Sequence, residues 1–295
     1  MTALVRSIQI APGVSMPVLG FGTYKITGTD SIGRVLDCAL GRGYRFIDTA
    51  HFYYNEEDIG LALNDLLPKY QLKRQDIFLT TKIVPPNPVQ DVRSGIVSSL
   101  KKLKTNYLDL VLIHQPMANA FDPGADRKSP QNKVWRKQTW TELEKLQTEG
   151  LIRAIGVSNY EVTHLNQMYE YLKIPPAVNQ VEFHPHLTRA ELLHFCRSKG
   201  IHFQAFTSLG RNHPDLINDA ALVKVASSHQ TSVANVLLAW AMQQNVSVLP
   251  KSVTEARIKS NFDSINLVLG DQEMSAISAL NRDTSYTLCR PWEIS

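Results

Sequence analysis

The stretch GFGTYK, residues 20–25, decides between two folds that share one rhythm. It ends the first apolar run, PVLGFG (17–22), where a doubly wound α/β sheet carries its phosphate-binding turn. That turn needs GxGxxG: one glycine for the tight bend, one for the approach of a pyrophosphate, one for helix–strand packing. Gly20 and Gly22 fill the first two places, and Lys25 stands in the third. The fingerprint is incomplete, which disfavours the doubly wound sheet.

Outward from this point the chain alternates strand and helix. PVLGFG precedes a helical pattern near 30–42. RFID (45–48) precedes NEEDIGLALNDLL (55–67), and IFLTTK (77–82) precedes VQDVRSGIVSSLKKL (89–103). LDLVLIH (108–114) leads through a polar loop to TWTELEKLQTEG (139–150). IRAIGVSN (152–159), VNQVEF (178–183) and HFQAFT (202–207) precede EVTHLNQMYEYL (161–172), RAELLHFCRSKG (189–200) and a pattern at about 220–245. VSVLPK (246–251) precedes EARIKSNF (255–262). Near-continuous apolar strands suit a parallel sheet buried on both faces. Gly43, Gly150 and Gly200 stand where helices stop in the left-handed conformation. Eight strand–helix pairs in 295 residues without a low-complexity linker predict a (β/α)8 TIM barrel, one α/β domain spanning 1–295. The opening SIQIAPGVSMPVLG reads as a hairpin turning at Pro12-Gly13 and closing the barrel floor.

Composition narrows the function class. With 31 Lys and Arg against 27 Asp and Glu, the formal net charge is only +4, and no basic block suggests nucleic acid. Cys38, Cys196 and Cys289 lie far apart, poor material for a disulfide framework or a zinc site. MTALVRSIQIAPGV lacks the apolar centre of a secretory leader, and no run reaches the ~18 apolar residues of a membrane span. The expectation is a cytoplasmic protein without nucleic-acid or membrane partners. Asn245-Val-Ser matches a glycosylation sequon by spacing alone.

Catalytic side chains of such barrels project from the C-terminal strand ends. Here those ends carry Asp48, Lys82, His114, Ser158-Asn159, Gln180 with Glu182 and His184, Phe206-Thr207, and Lys251-Ser252. Metal catalysis is disfavoured: there is no HExxH, and His184-Pro-His186 lacks a third ligand at suitable spacing. Asp48 and Glu182 could serve as a glycosidase-like carboxylate pair, which would leave Tyr53 and Lys82 without a role. A lysine beside a tyrosine has a clear use. A nearby cation lowers the phenol pKa from about 10 and stabilises the phenolate, so the tyrosine can act as a general acid. Asp48 would hold Lys82 charged, and His114 would hydrogen-bond a carbonyl oxygen. This equipment protonates a carbonyl as a hydride arrives, and the hydride requires a cofactor.

LGFGTYK, GYRFIDTAHFYYNEEDIG, IFLTTK, LDLVLIHQP, IRAIGVSN, NQVEFHP and LPKSVTEARIKSN occur in this order along essentially the whole chain. In this the sequence resembles the aldo-keto reductases. The resemblance implies a (β/α)8 barrel that reduces aldehydes and ketones to alcohols with NADPH. It implies the tetrad Asp48, Tyr53, Lys82 and His114, and it selects Tyr53 over Tyr54 because the tyrosine lies five residues after the aspartate. Ser158, Asn159 and Gln180 match residues that hold the nicotinamide carboxamide. Phe206 falls where a tyrosine usually stacks on the nicotinamide. Thr23, Tyr24, Thr207, Ser208, Leu209 and Val253 complete the implied cofactor contacts. Asn261 is in place, while Ser260 replaces a common glutamate near the adenine.

KSVTEAR (251–257) also makes physical sense unaided. Lys251 and Ser252 follow strand eight, where these barrels often bind phosphate. Thr254 can cap a helix whose free N–H groups face an anion, and Arg257 adds a planar cation. A 2′-phosphate site, and hence NADPH, is the expectation. Substrate contacts are expected from Tyr24, Phe52, Tyr53, Val84, His114 and Gln115, with Tyr54, Trp135 and Trp292 as further pocket candidates. Gln115, Val84 and Tyr24 stand where aldose reductase-like members carry tryptophans, which points to a more polar pocket. Arg127, Lys128 and Lys133 read as a solvated loop, Cys289 as inert and His51 as structural. A monomer is expected to act on a small-molecule carbonyl substrate, with no metal. The alternative is a cofactor-binding regulatory or structural barrel protein with little turnover.

Overall fold

The computed structural model describes residues 5–85, 92–118, 124–288 and 290–295. Two antiparallel strands, β1 (Ser7–Ala11) and β2 (Val14–Pro17), open the chain. Eight parallel strands follow: β3 (Phe21–Gly22), β4 (Phe46–Asp48), β5 (Phe78–Ile83), β6 (Leu108–Ile113), β7 (Ile152–Ser158), β8 (Val178–Glu182), β9 (His202–Phe206) and β10 (Ser247–Val248). They are ordered sequentially in one sheet. A parallel bridge between Leu19 and Val248 joins the two ends. Hydrogen bonds from Gly20 N to Val248 O (2.9 Å) and from Gly22 N to Pro250 O (3.1 Å) continue the seam.

The seam explains GFGTYK. A Cβ on Gly20 would lie 2.5 Å from the Phe46 ring, and one on Gly22 would lie 2.9 Å from Leu249 O. These glycines serve close packing where the barrel closes, not a pyrophosphate turn.

Strand periodicity splits the core in two. Phe46, Phe78, Leu110, Leu112, Ala154 and Val178 form a cluster inside the barrel with Ile10, Val14 and Met16 of the hairpin. The hairpin therefore caps the barrel floor, as expected. Ile47, Leu79, Val111, Ile113, Ile155, Val157 and Val181 belong to the outer cluster shared with the helices. Asp48, Lys82, Ser158 and Gln180 keep the parity of the inward set, so the same alternation that fills the barrel also aims them to its interior.

The helices are α1 (Thr29–Arg42), α2 (Glu56–Lys69), α3 (Val92–Lys102), α4 (Gln131–Thr148), α5 (Val162–Met168), α6 (Ala190–Ser198), α7 (Pro214–Ile217), α8 (Ala220–Ser228), α9 (Val233–Gln243), α10 (Glu255–Asp263) and α11 (Asp271–Ser278). Several differ from expectation: α5 stops at Met168, short of 172, and α7 and α11 are additional. The pattern at 220–245 is broken into α8 and α9, because Ser232 caps a new helix by accepting from Asn235 N. Helix α4 starts eight residues before 139, in the polar stretch QNKVWRKQ. Its Arg136 is fully buried, donating to Pro116 O (2.7 Å), Ser295 O (2.8 Å) and Gln167 Oε1 (2.5 Å). Partners from three distant segments make a core residue of an arginine that reads locally as surface. Among the described residues, no helix is long and apolar enough to cross a membrane.

Candidate active site

Asp48, the last residue of β4, and Lys82, in β5, meet inside the barrel. Lys82 Nζ donates to Asp48 Oδ1 (2.5 Å), Thr49 O (3.0 Å) and the Tyr53 hydroxyl (3.3 Å). Both charges are buried. Asp48 Oδ2 accepts from Gln180 Nε2 (2.9 Å), which also donates to Gln204 Oε1 (2.7 Å). The carboxylate is thus held from two sides. Tyr53 ends a 3-10 turn, His51–Tyr53, directly after β4. Its ring packs edge-on against His114, with centroids 5.7 Å apart, and in a tilted contact against Tyr24 at 5.0 Å. His114 lies one residue beyond β6.

The neighbouring Tyr54 adopts a left-handed backbone (φ +54°) and is 76% exposed. That reversal turns it out of the barrel while Tyr53 stays in. His51 approaches Glu56 (Nδ1 to Oε2, 3.7 Å). Glu56 is buried and accepts from Thr81 Oγ1 (2.6 Å), so it does more than complement the start of α2. Asn55 supports the first loop instead of capping α2: its Nδ2 donates to Thr23 O (3.0 Å) and Ile26 O (2.8 Å).

Burial raises the Tyr53 phenol well above its ordinary range, and the charge of Asp48 adds to the rise. The net direction is opposite to the lowering expected from Lys82, because burial and Asp48 outweigh the cation. The ammonium is paired with Asp48, so the phenol faces a near-neutral ion pair in a poorly hydrated site. Burial also lowers the Lys82 pKa, with Asp48 opposing the fall. Burial, and then the charge of Lys82, hold the His114 imidazole well below its usual range. The site therefore presents a protonated phenol and a neutral imidazole at neutral pH.

Ser158 Oγ donates to Gln180 O (2.8 Å), and Asn159 Nδ2 donates to His114 O (2.9 Å) and Ser158 Oγ (3.1 Å). Thr23 Oγ1 donates to Asp48 O (2.9 Å), which places the first loop beside the tetrad. Phe206 and Thr207 follow at the end of β9 and are half-buried; Ser208 is buried and Leu209 half-buried. Val84 is half-buried and Gln115 buried, next to Lys82 and His114 in sequence. Phe52 is half-buried and packs toward Tyr54 (6.1 Å between ring centroids). Trp292 is stacked near Arg189 and Arg290. Trp135 lies half-buried on α4, and Cys289 falls outside the described residues.

Beyond β10, Lys251 and Arg257 are exposed and, among the described residues, form no ion pair. Thr254 precedes α10, and no side chain caps that helix N-terminus. Ser252 Oγ accepts from Thr254 N (3.1 Å), and Asn261 is buried one turn past Arg257. Two unpaired cations around an uncapped helix start are a donor set that fits a phosphate group.

Glu182 is otherwise engaged. Its Oε1 accepts from His184 Nε2 (3.1 Å) and Tyr286 N (2.7 Å), and its Oε2 from Ser285 Oγ (2.6 Å) and Thr287 Oγ1 (2.7 Å). It anchors the C-terminal segment and cannot pair with Asp48 as a hydrolytic dyad. His186 is likewise bound, to the Tyr286 hydroxyl (2.7 Å). Thr49 and Gln204 had not been singled out. Thr49 acts through its carbonyl, which no side-chain pattern reveals. Gln204 was legible as a polar residue in HFQAFT with inward parity.

Comparison with known proteins bears on this geometry. The family model described as "Aldo/keto reductase family" matches residues 18–282. Glyoxal reductase of Bacillus subtilis is 37% identical over 283 residues, covering 96% of this chain and 95% of its own. Aldose reductase B of Dictyostelium discoideum is 37% identical over 288 residues, covering 94% and 92%. A solved aldo/keto reductase structure from Brucella melitensis superposes with a TM-score of 0.82 at 36% identity, covering 94% of this chain and 99% of that one.

Proposed function

Because the chain belongs to the aldo-keto reductase family, a family of carbonyl-reducing oxidoreductases, we propose that it reduces aldehydes and ketones with NADPH and uses Tyr53 as proton donor. The observation that carries the residue assignment is the Asp48–Lys82–Tyr53 chain beside His114. NADPH supplies the hydride when bound. Neutral His114 donates to the substrate carbonyl oxygen and orients it toward Tyr53. The Tyr53 hydroxyl gives up its proton to the developing alkoxide, a far stronger base than a phenolate. Lys82 stabilises the resulting phenolate, and Asp48 keeps Lys82 charged and in place.

In this reading Ser158, Asn159 and Gln180 hold the carboxamide end of the cofactor, and Phe206 offers the ring on which the nicotinamide stacks. Lys251, Ser252, Thr254 and Arg257 take the 2′-phosphate, with Asn261 near the adenine. Thr23, Thr207, Ser208, Leu209 and Val253 line its course. Tyr24, Phe52, Val84 and Gln115 shape the substrate entrance. Residues 1–295 are read as one barrel domain working as a monomer, and the tetrad, complete within one chain, requires no second copy for the chemistry. A cytoplasmic setting fits the three scattered cysteines.

The test is a panel of aldehydes and ketones with NADPH, followed at the nicotinamide absorbance. Consumption with several reactive aldehydes is expected. Cofactor binding without turnover across the whole panel would overturn the enzyme reading and leave a cofactor-binding barrel.

A further inference from the structure

Tyr286, in the C-terminal segment, occupies a site built from three histidines. Its ring stacks on His213 (centroids 4.3 Å apart, planes at 19°) and on His184 (5.0 Å, 29°). Its hydroxyl bonds His186 Nδ1 at 2.7 Å. Its backbone N donates to Glu182 Oε1 (2.7 Å), with Ser285 and Thr287 fastened to the other oxygen. His184 and His186 are buried on the segment after β8. His213 belongs to a different element, the loop between β9 and α7.

That loop leaves β9 beside Phe206, which pairs in register with Glu182. Its backbone is held in an uncommon form: Thr207, Arg211 and Asn212 are non-glycine residues at φ +54°, +52° and +61°. Such conformations persist only where the surroundings over-determine them. Tyr286 is part of those surroundings. A Cβ on Gly210 would come 3.2 Å from the Tyr286 ring, so loop and ring are in close apposition. The tail thus carries a rigid aromatic strut from the Glu182 anchor to the loop that begins with Thr207, Ser208 and Leu209.

We infer that Tyr286 is a positioning residue that holds the 207–217 loop in its cofactor-embracing conformation and thereby sets the rate of NADPH release. The inference rests on the cofactor reading above. A stacked ring fits this task because it resists sliding and splaying of the loop while adding no charge near the cofactor. The His213 stack must separate before that residue and its loop can move away, while the His184 stack and the Glu182 anchor hold the ring in place, which makes loop opening slow relative to that of an unbraced surface loop.

The experiment compares wild type, Tyr286→Ala and Tyr286→Phe by two measurements. One is amide hydrogen exchange across 207–217 in the free protein. The other is NADPH dissociation, followed by its fluorescence in a stopped-flow chase with excess NADP+. Tyr286→Ala is expected to accelerate exchange in 207–217 and to raise the dissociation rate by about tenfold, the scale of losing the His213 ring contact. Tyr286→Phe keeps both stacks and is expected to stay within about twofold of wild type on that scale. Faster exchange with unchanged NADPH dissociation would overturn the inference, leaving the strut purely structural. Unchanged exchange would also overturn it. Should Tyr286→Ala not fold, Glu182→Gln replaces it: loosening the anchor while keeping the ring must shift both measurements in the same direction. If wild type binds no NADPH, the cofactor reading fails and the inference falls with it, while the exchange comparison still reports whether Tyr286 braces the loop.

Discussion

The Lys82 ammonium lies 3.3 Å from the Tyr53 hydroxyl, although the two residues are 29 positions apart in the chain. The contact exists because the 3-10 turn after β4 folds Tyr53 back over β5, and the left-handed Tyr54 ends that turn. Tyr53→Phe should lower the reduction rate by about 10²–10⁴-fold, the usual worth of a positioned general acid. NADPH affinity should stay within about twofold, since the ring remains. Tyr54→Phe should match wild type in both. Steady-state kinetics and fluorescence titration of the two variants decide the register.

Lys82 and Asp48 are a buried ion pair, and removing one partner strands the other. Lys82→Met should destabilise the fold by about 3–5 kcal/mol. Adding Asp48→Asn should restore much of that loss without restoring activity. Chemical denaturation of the single and double variants measures it. Equal stability of Lys82→Met and wild type would mean that the pair is solvated.

Lys251 is exposed and, among the described residues, has no ion-pair partner. Lys251→Ala should weaken NADPH by about tenfold, the scale of one charge-assisted contact at a wet site, and NADH hardly at all. Parallel titrations with both nucleotides test this. Equal loss for the two would remove the 2′-phosphate assignment.

Glu182 is pushed upward by burial, but bonds from His184, Ser285, Thr287 and the Tyr286 N–H outweigh this and leave its pKa below the ordinary 4.5. A carboxylate depressed in the folded state stabilises the fold above its unfolded pKa, and loses that contribution as pH falls through the folded value. The tail should therefore loosen only below about pH 4.5, the ordinary carboxylate range. Glu182→Gln should cost about 1–3 kcal/mol at pH 7 and flatten the acid limb of the stability curve. Thermal melts of both proteins from pH 3 to pH 8, read at fixed ionic strength, would show it.

His164 is buried with both ring nitrogens engaged: Nδ1 accepts from Glu161 N (3.0 Å), and Nε2 bonds Ile294 O (2.9 Å). Burial lowers its pKa from 6.5 to about 4, against the bond to Ile294 O. Below pH 6.5 the unfolded chain takes the proton and the folded chain refuses it, so stability falls with pH across that window. About 3 kcal/mol should be lost between pH 6.5 and 4, and His164→Gln should show a shallower fall there. A pH titration of unfolding free energy compares them.

Much of this architecture was legible in the chain. Strand–helix alternation follows from local periodicity, and inward parity follows from the pleat, so RFID, IFLTTK and LDLVLIH placed Asp48, Lys82 and His114 without a structure. The missing third glycine at Lys25 pointed away from the dinucleotide fold. The polar start of α4 was not legible as helix, and its buried Arg136 carries no local signal, because that burial depends on partners from distant segments, out to Ser295.

What the sequence alone determined is therefore the barrel, its hairpin floor, and the set of reactive side chains aimed at one end of it. These rest on short-range physics, the period of a strand and the length of a helix. Tertiary structure alone decided what each charge does. Glu182 stood beside Asp48 as a candidate catalytic carboxylate until Ser285, 103 positions away, was found hydrogen-bonded to it. Tyr53 looked like a phenol made acidic by Lys82 until burial and the paired Asp48 proved the stronger influences. Desolvation and pairing depend on which distant groups share a small dry volume, and no local pattern in the chain encodes that.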